Sequence, residues 1–177
     1  MKNIGIIIGL LFLANSYSFA QKFGYVDSDY ILSKMPEYAE AQSEIDKLSQ
    51  QWENEIKDMY KQVEAMEAKL KAEEVLLTKE MQDEREADIN LKWTEVKDYQ
   101  KKVFGFEGLF FLKKKELIKP IQDKVFDAVE KVAKNNRLQI VFDKSGELVM
   151  IYTDPIHDYT DFVLEELGLG DKNDTVK

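Results

Sequence analysis

The sequence predicts an α+β fold that is mostly α: a long antiparallel helical hairpin, a coiled-coil tentacle, on a small β body that several copies complete together. Three observations carry this. Two heptad-like stretches, 38–76 and 79–118, are separated by a short break. Short runs of β-branched and aromatic residues flank them on both sides. No Gly or Pro occurs between Glu37 and Lys102, so nothing there interrupts a helix.

The first twenty residues read as a secretory signal peptide. Lys2 supplies a positive start, 4–13 is apolar, and Ser18-Phe19-Ala20 places small residues before a cleavage site after Ala20. The apolar run is too short to span a bilayer. The chain has no cysteine, so thiol-linked lipid and disulfides are excluded. A bacterial periplasmic protein is the expectation. The remaining residues, 21–177, are a single-domain length. The formal net charge of −9 becomes −10 without Lys2. That balance disfavours nucleic acid and anionic lipid as partners, and leaves at most peripheral contact with a membrane.

Phe23-Gly24-Tyr25-Val26-Asp27 reads as a strand, after which Asp27, Ser28 and Asp29 can cap a short helix over Tyr30-Ile31-Leu32. Pro36 suits the start of the next helix. Its seam is Ala41, Ile45, Leu48, Trp52, Ile56, Met59, Val63, Met66 and Leu70, with an extra step of four from Trp52 to Ile56 that locally unwinds a supercoil. The seam breaks at Val75-Leu76-Leu77-Thr78, where Thr78 is the expected N-cap of the return helix. That helix carries Met81, Ile89, Trp93, Val96, Tyr99, Val103, Phe106 and Phe110. A single helix of about 75 residues is the rival. The strand signals at both ends favour the hairpin, which returns them to each other.

Gly105 and Gly108, among Phe104, Phe106, Phe110 and Phe111, predict a kink or a short non-helical excursion. Pro120 reads as a second boundary, followed by a helix with Ile121, Val125, Ala128, Val129 and Val132 on one face and ending at Asn135-Asn136. Leu138-Gln139-Ile140-Val141-Phe142 and Leu148-Val149-Met150-Ile151-Tyr152 then read as a β-hairpin around Lys144-Ser145-Gly146-Glu147. A short amphipathic helix is expected over 158–167. The organisation is thus a signal peptide (1–20), the first strand and short helix of the body (21–36), the hairpin with its tip near 76–79 (37–119), the body helix, β-hairpin and terminal helix (120–168), and a polar tail (169–177) expected to be disordered. Three short strands are marginal alone, and the C-terminal pair is apolar nearly throughout. Closing such sheets around a symmetry axis would remove their open edges.

Catalysis finds no support. His157 is the only histidine, and there is no cysteine nucleophile, phosphate loop or metal-ligand spacing. No catalytic residue, metal or cofactor is expected. The residues with binding chemistry are Met59, Met66 and Met81, which adapt to varied apolar partners, and Phe104, Phe106, Phe110 and Phe111, which cannot all enter one narrow seam. Packing in the hairpin core and the body is the competing role for these residues.

The chain resembles the Skp (OmpH) family of periplasmic chaperones. The residues that carry this are Gly24-Tyr25-Val26-Asp27, Ile31-Leu32, Pro36-Glu37-Tyr38, Pro120-Ile121-Gln122-Asp123-Lys124-Val125, Ile140-Val141-Phe142-Asp143-Lys144-Ser145 and Thr160-Asp161. The resemblance implies a homotrimer with a β-barrel body, to which Tyr25, Val26, Ile140, Phe142, Val149 and Ile151 would contribute. It implies an ATP-independent holdase that encloses unfolded outer-membrane β-barrel proteins between helical tentacles. The chain departs from the strongly basic members: residues 37–119 hold 20 acidic and 15 basic side chains. The alternative is a non-catalytic coiled-coil adaptor bridging folded cell-envelope proteins.

Overall fold

A computed structural model describes residues 21–146 and 150–170. Residues 1–20, read above as a signal peptide, and most of the polar tail lie outside them. The described chain is mostly α with a small β part. In order it contains β1 (Phe23–Val26), α1 (Ser28–Lys34), α2 (Pro36–Glu73), a 3₁₀ turn (Glu74–Leu76), α3 (Lys79–Phe104), α4 (Leu109–Asn136), β2 (Ile140–Asp143), a second 3₁₀ turn (Pro155–His157) and α5 (Thr160–Glu166). Two compact units emerge. One takes in the described residues up to Ser28 and from Ala128 onward, and the other is Asp29–Asp127.

The second unit is a helical hairpin. Met35 is extended at φ −86° and ψ 116°, as a residue before proline must be, and Pro36 opens α2 where its missing N–H costs nothing. Over 38 residues α2 reaches about 57 Å. It ends in the 3₁₀ turn, Leu77 is extended, and the Thr78 hydroxyl accepts a hydrogen bond from the Met81 N–H at 3.3 Å. The expected cap is therefore present. Gln82 completes the tip, its amide donating to the carbonyl of Glu74 (2.9 Å), which also accepts from the Leu77 N–H (3.4 Å), and to that of Leu77 (3.4 Å).

The seam is narrow. Val63, Ile89 and Val96 form its buried cluster, with Met59, Tyr60, Met66, Leu70 and Trp93 packed on it. Burying a side chain of this kind contributes roughly 1.5–3 kcal/mol. Polar bonds across the seam fix the antiparallel register. Trp93 Nε1 donates to Glu67 at 2.8 Å, Tyr60 Oη to Gln100 at 2.9 Å, and Tyr99 Oη to Glu55 at 2.5 Å. The pairing continues in the first part of α4, where Lys124 Nζ lies 3.1 Å from Glu37.

The glycine signal holds: α3 stops at Phe104 and α4 begins at Leu109. A Cβ on Gly105 would lie 2.2 Å from the Lys101 carbonyl oxygen, and one on Gly108 2.5 Å from that of Val103. Both are below contact distance with backbone, so the turn requires residues without side chains. The Pro120 expectation fails, because Pro120 lies inside α4. An interior proline costs about 3 kcal/mol. Here Ile118, Ile121 and Val125 are buried on either side of it. Pro120 and Glu116 are both exposed, so water can serve the carbonyl that loses its partner.

In the first unit β1 and β2 pair in parallel, with Phe23 opposite Ile140 and Val26 opposite Asp143. The other edge of β1 meets Asp158, and Tyr159 N–H donates to the Tyr25 carbonyl at 2.9 Å. The predicted 138–152 β-hairpin is thus not what β2 forms. Leu148 and Val149 lie outside the described residues, Met150, Ile151 and Tyr152 are in no strand, and Ile151 is 99% exposed. The reason lies in the contacts of Asp143. The turn residue Ser145 is bound to Asp143 through its N–H (3.1 Å) and hydroxyl (2.7 Å). Asp143 also accepts from the Ser28 N–H (3.2 Å) and hydroxyl (2.6 Å) at the start of α1. Ser145, the first part of the expected turn, is thus tied through Asp143 to the residue that follows β1 by two positions, Ser28. Ala128, Val132, Tyr25, Val26, Tyr159, Val163 and Leu164 make the core of this unit.

Arg137 ends α4 in the left-handed region at φ 56°, with Leu138 N–H donating back to the Ala133 carbonyl at 2.8 Å and Arg137 N–H to that of Lys134 at 3.2 Å. This is a Schellman ending one residue past the Asn135-Asn136 stop signal.

Candidate functional site

The candidate binding residues separate into two groups. Met59 and Met66 pack on the buried seam cluster. Phe104 sits edge-on to Trp52, with ring centroids 6.4 Å apart, and tilted against Phe110 at 5.8 Å. Met59, Met66 and Phe110 are half-buried, at the seam and around the glycine break, while Phe104 stays partly exposed beside that break. Met81, Phe106 and Phe111 face outward, Phe106 almost completely because the Gly105–Gly108 turn carries it off both helices. Leu112, beside Phe111, is half exposed as well.

Of the six residues assigned to the body, Tyr25 and Val26 are buried within the single chain. Ile140, Phe142 and Ile151 are exposed, and Val149 lies outside the described residues. An open groove of about 330 Å³ is lined by Phe23, Tyr25, Phe142, Met150, Tyr152 and His157. His157 stacks on Phe23 with centroids 4.5 Å apart.

Sequence reasoning placed the tip of the hairpin near 76–79, at the Val75-Leu76-Leu77-Thr78 break, but assigned no binding role to it. In the structure Val75 is 92% and Leu76 81% exposed. The signal was present: two aliphatic residues where the seam breaks cannot both fold inward. Just below them, an open groove of about 390 Å³ has Leu70 and Ile89 on its floor and Glu67, Glu74 and Glu86 on its rim, with Lys71 among them. A third groove, about 410 Å³, follows α4 along Phe111, Ile118, Lys114, Lys115 and Lys119.

The electrostatics are those of solvated groups. Tyr99 donates to Glu55 and holds its carboxyl below the usual range. At Asp143 burial pushes the carboxyl up, but the hydrogen bonds from Ser28 and Ser145 outweigh it and hold the group low. Among the described residues no cluster of His, Asp and Glu could hold a metal ion, and no helix is long and apolar enough to cross a membrane. What the surface offers is non-covalent contact: separated apolar side chains and grooves set in charged helix faces.

Residues 22–167 match the family model described as outer membrane protein (OmpH-like). The chain belongs to the OmpH-like family. An uncharacterized protein of Aquifex aeolicus (strain VF5) is 28% identical over 158 residues, covering 89% of this chain and 93% of that one. The fold of this OmpH-like chain is shared by a proposed outer membrane chaperone (OmpH-like) from Caulobacter crescentus CB15. That crystal structure superimposes with a TM-score of 0.65 at 14% identity, over 89% of each chain.

Proposed function

We propose that this OmpH-like protein is an ATP-independent holdase of the periplasm. As a homotrimer it encloses unfolded outer-membrane proteins between its helical hairpins and keeps them from aggregating. The observation that carries the reading is the distribution of exposed apolar side chains along a hairpin with a narrow core: Val75, Leu76, Met81, Leu91, Phe106 and Phe111. Each contributes little alone. Many weak contacts made by one assembly act as intramolecular contacts after the first, so holding needs no deep pocket and no nucleotide. Family membership supports a chaperone role in general. Assembly is supported by the apolar side chains that a two-stranded sheet leaves in water, Ile140 and Phe142, and by exposed Ile151 beyond it. Export is supported by the n-region, h-region and small residues of 1–20.

The test is light scattering of a denatured outer-membrane β-barrel protein diluted from urea. The protein without residues 1–20 should suppress scattering at one trimer per client with no ATP present. Undiminished aggregation at that ratio would contradict the reading. Capture of one folded partner at fixed stoichiometry from envelope extracts would favour the adaptor role instead.

A further inference from the structure

The charge of this chain is not spread over it. Residues 37–100, most of α2, the tip and most of α3, carry 18 Asp and Glu against 9 Lys and Arg. Every other residue together carries 16 of each. The whole net charge of −9 therefore resides on that one segment of the hairpin. Three of its nine cations, Lys61, Lys79 and Lys92, are matched within about a helical turn to Asp58, Asp83 and Glu95, and the excess of nine carboxylates is unchanged by that pairing. The same segment exposes apolar side chains, Val75 and Leu76 at the tip and Leu91 on α3, and contains the groove floored by Leu70 and Ile89.

We infer that this part of the hairpin docks segments of unfolded polypeptide that combine net positive charge with aliphatic side chains, and discriminates against acidic ones. The inference rests on the holdase reading and names its substrate class. Two features of the surface select the occupant. The exposed aliphatic residues and the apolar groove floor require an apolar contact, because water gains nothing from them. The excess of carboxylates on both helices attracts Lys and Arg and repels Asp and Glu over distances up to the Debye length, about 8 Å at physiological salt. An acidic segment reaching the same apolar residues would have to enter a field of its own sign.

The test uses the protein without residues 1–20 and two labelled, permanently unfolded polypeptides. One is rich in Lys and Leu, and the other has the same sequence with every Lys changed to Glu. Fluorescence anisotropy should give a Kd about tenfold lower for the Lys form at ~50 mM salt, with the ratio collapsing towards one at ~500 mM, where the Debye length falls to about 4 Å. Combining Glu74→Gln and Glu86→Gln should weaken the Lys form several-fold at low salt while leaving the high-salt Kd and the thermal unfolding curve in place. Val75→Ser with Leu76→Ser should weaken both forms. Equal affinities for the two polypeptides at low salt, or a preference for the Glu form, would overturn the inference while the scattering assay still reports holding. Failure to suppress scattering in that assay would remove the holdase reading itself.

Discussion

Asp143 shows how much one side chain decides. It lies at the end of β2 and receives four hydrogen bonds, two from Ser28 at the start of α1 and two from Ser145 in the following turn. Sequence reasoning assigned the capping of α1 to Asp27, Ser28 and Asp29, because caps are ordinarily local. The carboxylate bonded to Ser28 stands 115 positions away, and no local pattern announces that. Asp143→Ala should destabilise the chain by about 1–2 kcal/mol, the usual cost of a lost cap, measured by urea unfolding. The hydrogen bonds hold the folded carboxyl below its usual value. Its contribution is thus present above the unfolded pKa, about 3.9, and is lost as pH falls through the lower folded value. Asp143→Asn should therefore lose less stability than the wild type between pH 7 and pH 3. Parallel losses would show that Asp143 does not couple folding to pH.

At the scale of elements, local signals were legible and non-local pairing was not. The seam from Ala41 to Leu70, the Thr78 cap and the glycine break after Phe104 follow from spacing and from what Thr and Gly do to a backbone. The parallel partnership of β1 with β2 does not, because apolar strands advertise burial without naming a partner. Pro120 misled for a related reason: its helix-breaking tendency is local, whereas the burial of Ile118, Ile121 and Val125 that outweighs it is tertiary. The candidate site was legible to a similar degree. The residue types were visible, but the division into half-buried Met59, Met66 and Phe110, partly exposed Phe104, and outward Met81, Phe106 and Phe111 needed the geometry.

Two predictions belong to elements. Ile89→Ala should cost about 2–4 kcal/mol, because Ile89 is buried in the seam, whereas Met81→Ala, on a half-exposed face, should stay within about 0.5 kcal/mol. Urea midpoints of the two variants check this. Gly105→Ala with Gly108→Ala should destabilise by more than about 1 kcal/mol, since each new Cβ meets a carbonyl oxygen, although alanine is ordinarily the better helix former. A stabilised double variant would show that α3 and α4 prefer to run on as one helix.

For the whole molecule, the account joins two deficits. The described sheet has two strands and leaves Ile140 and Phe142 in water, Ile151 beyond it is exposed as well, and the hairpin buries only a seam. Under the proposed function, other copies of the chain would meet the first deficit and an unfolded client the second. Native mass spectrometry of the protein lacking residues 1–20, alone and after dilution of an unfolded outer-membrane protein into it, tests both together. The expected species are three copies alone and three copies carrying one client. A single-copy protein that acquires no client would contradict the account.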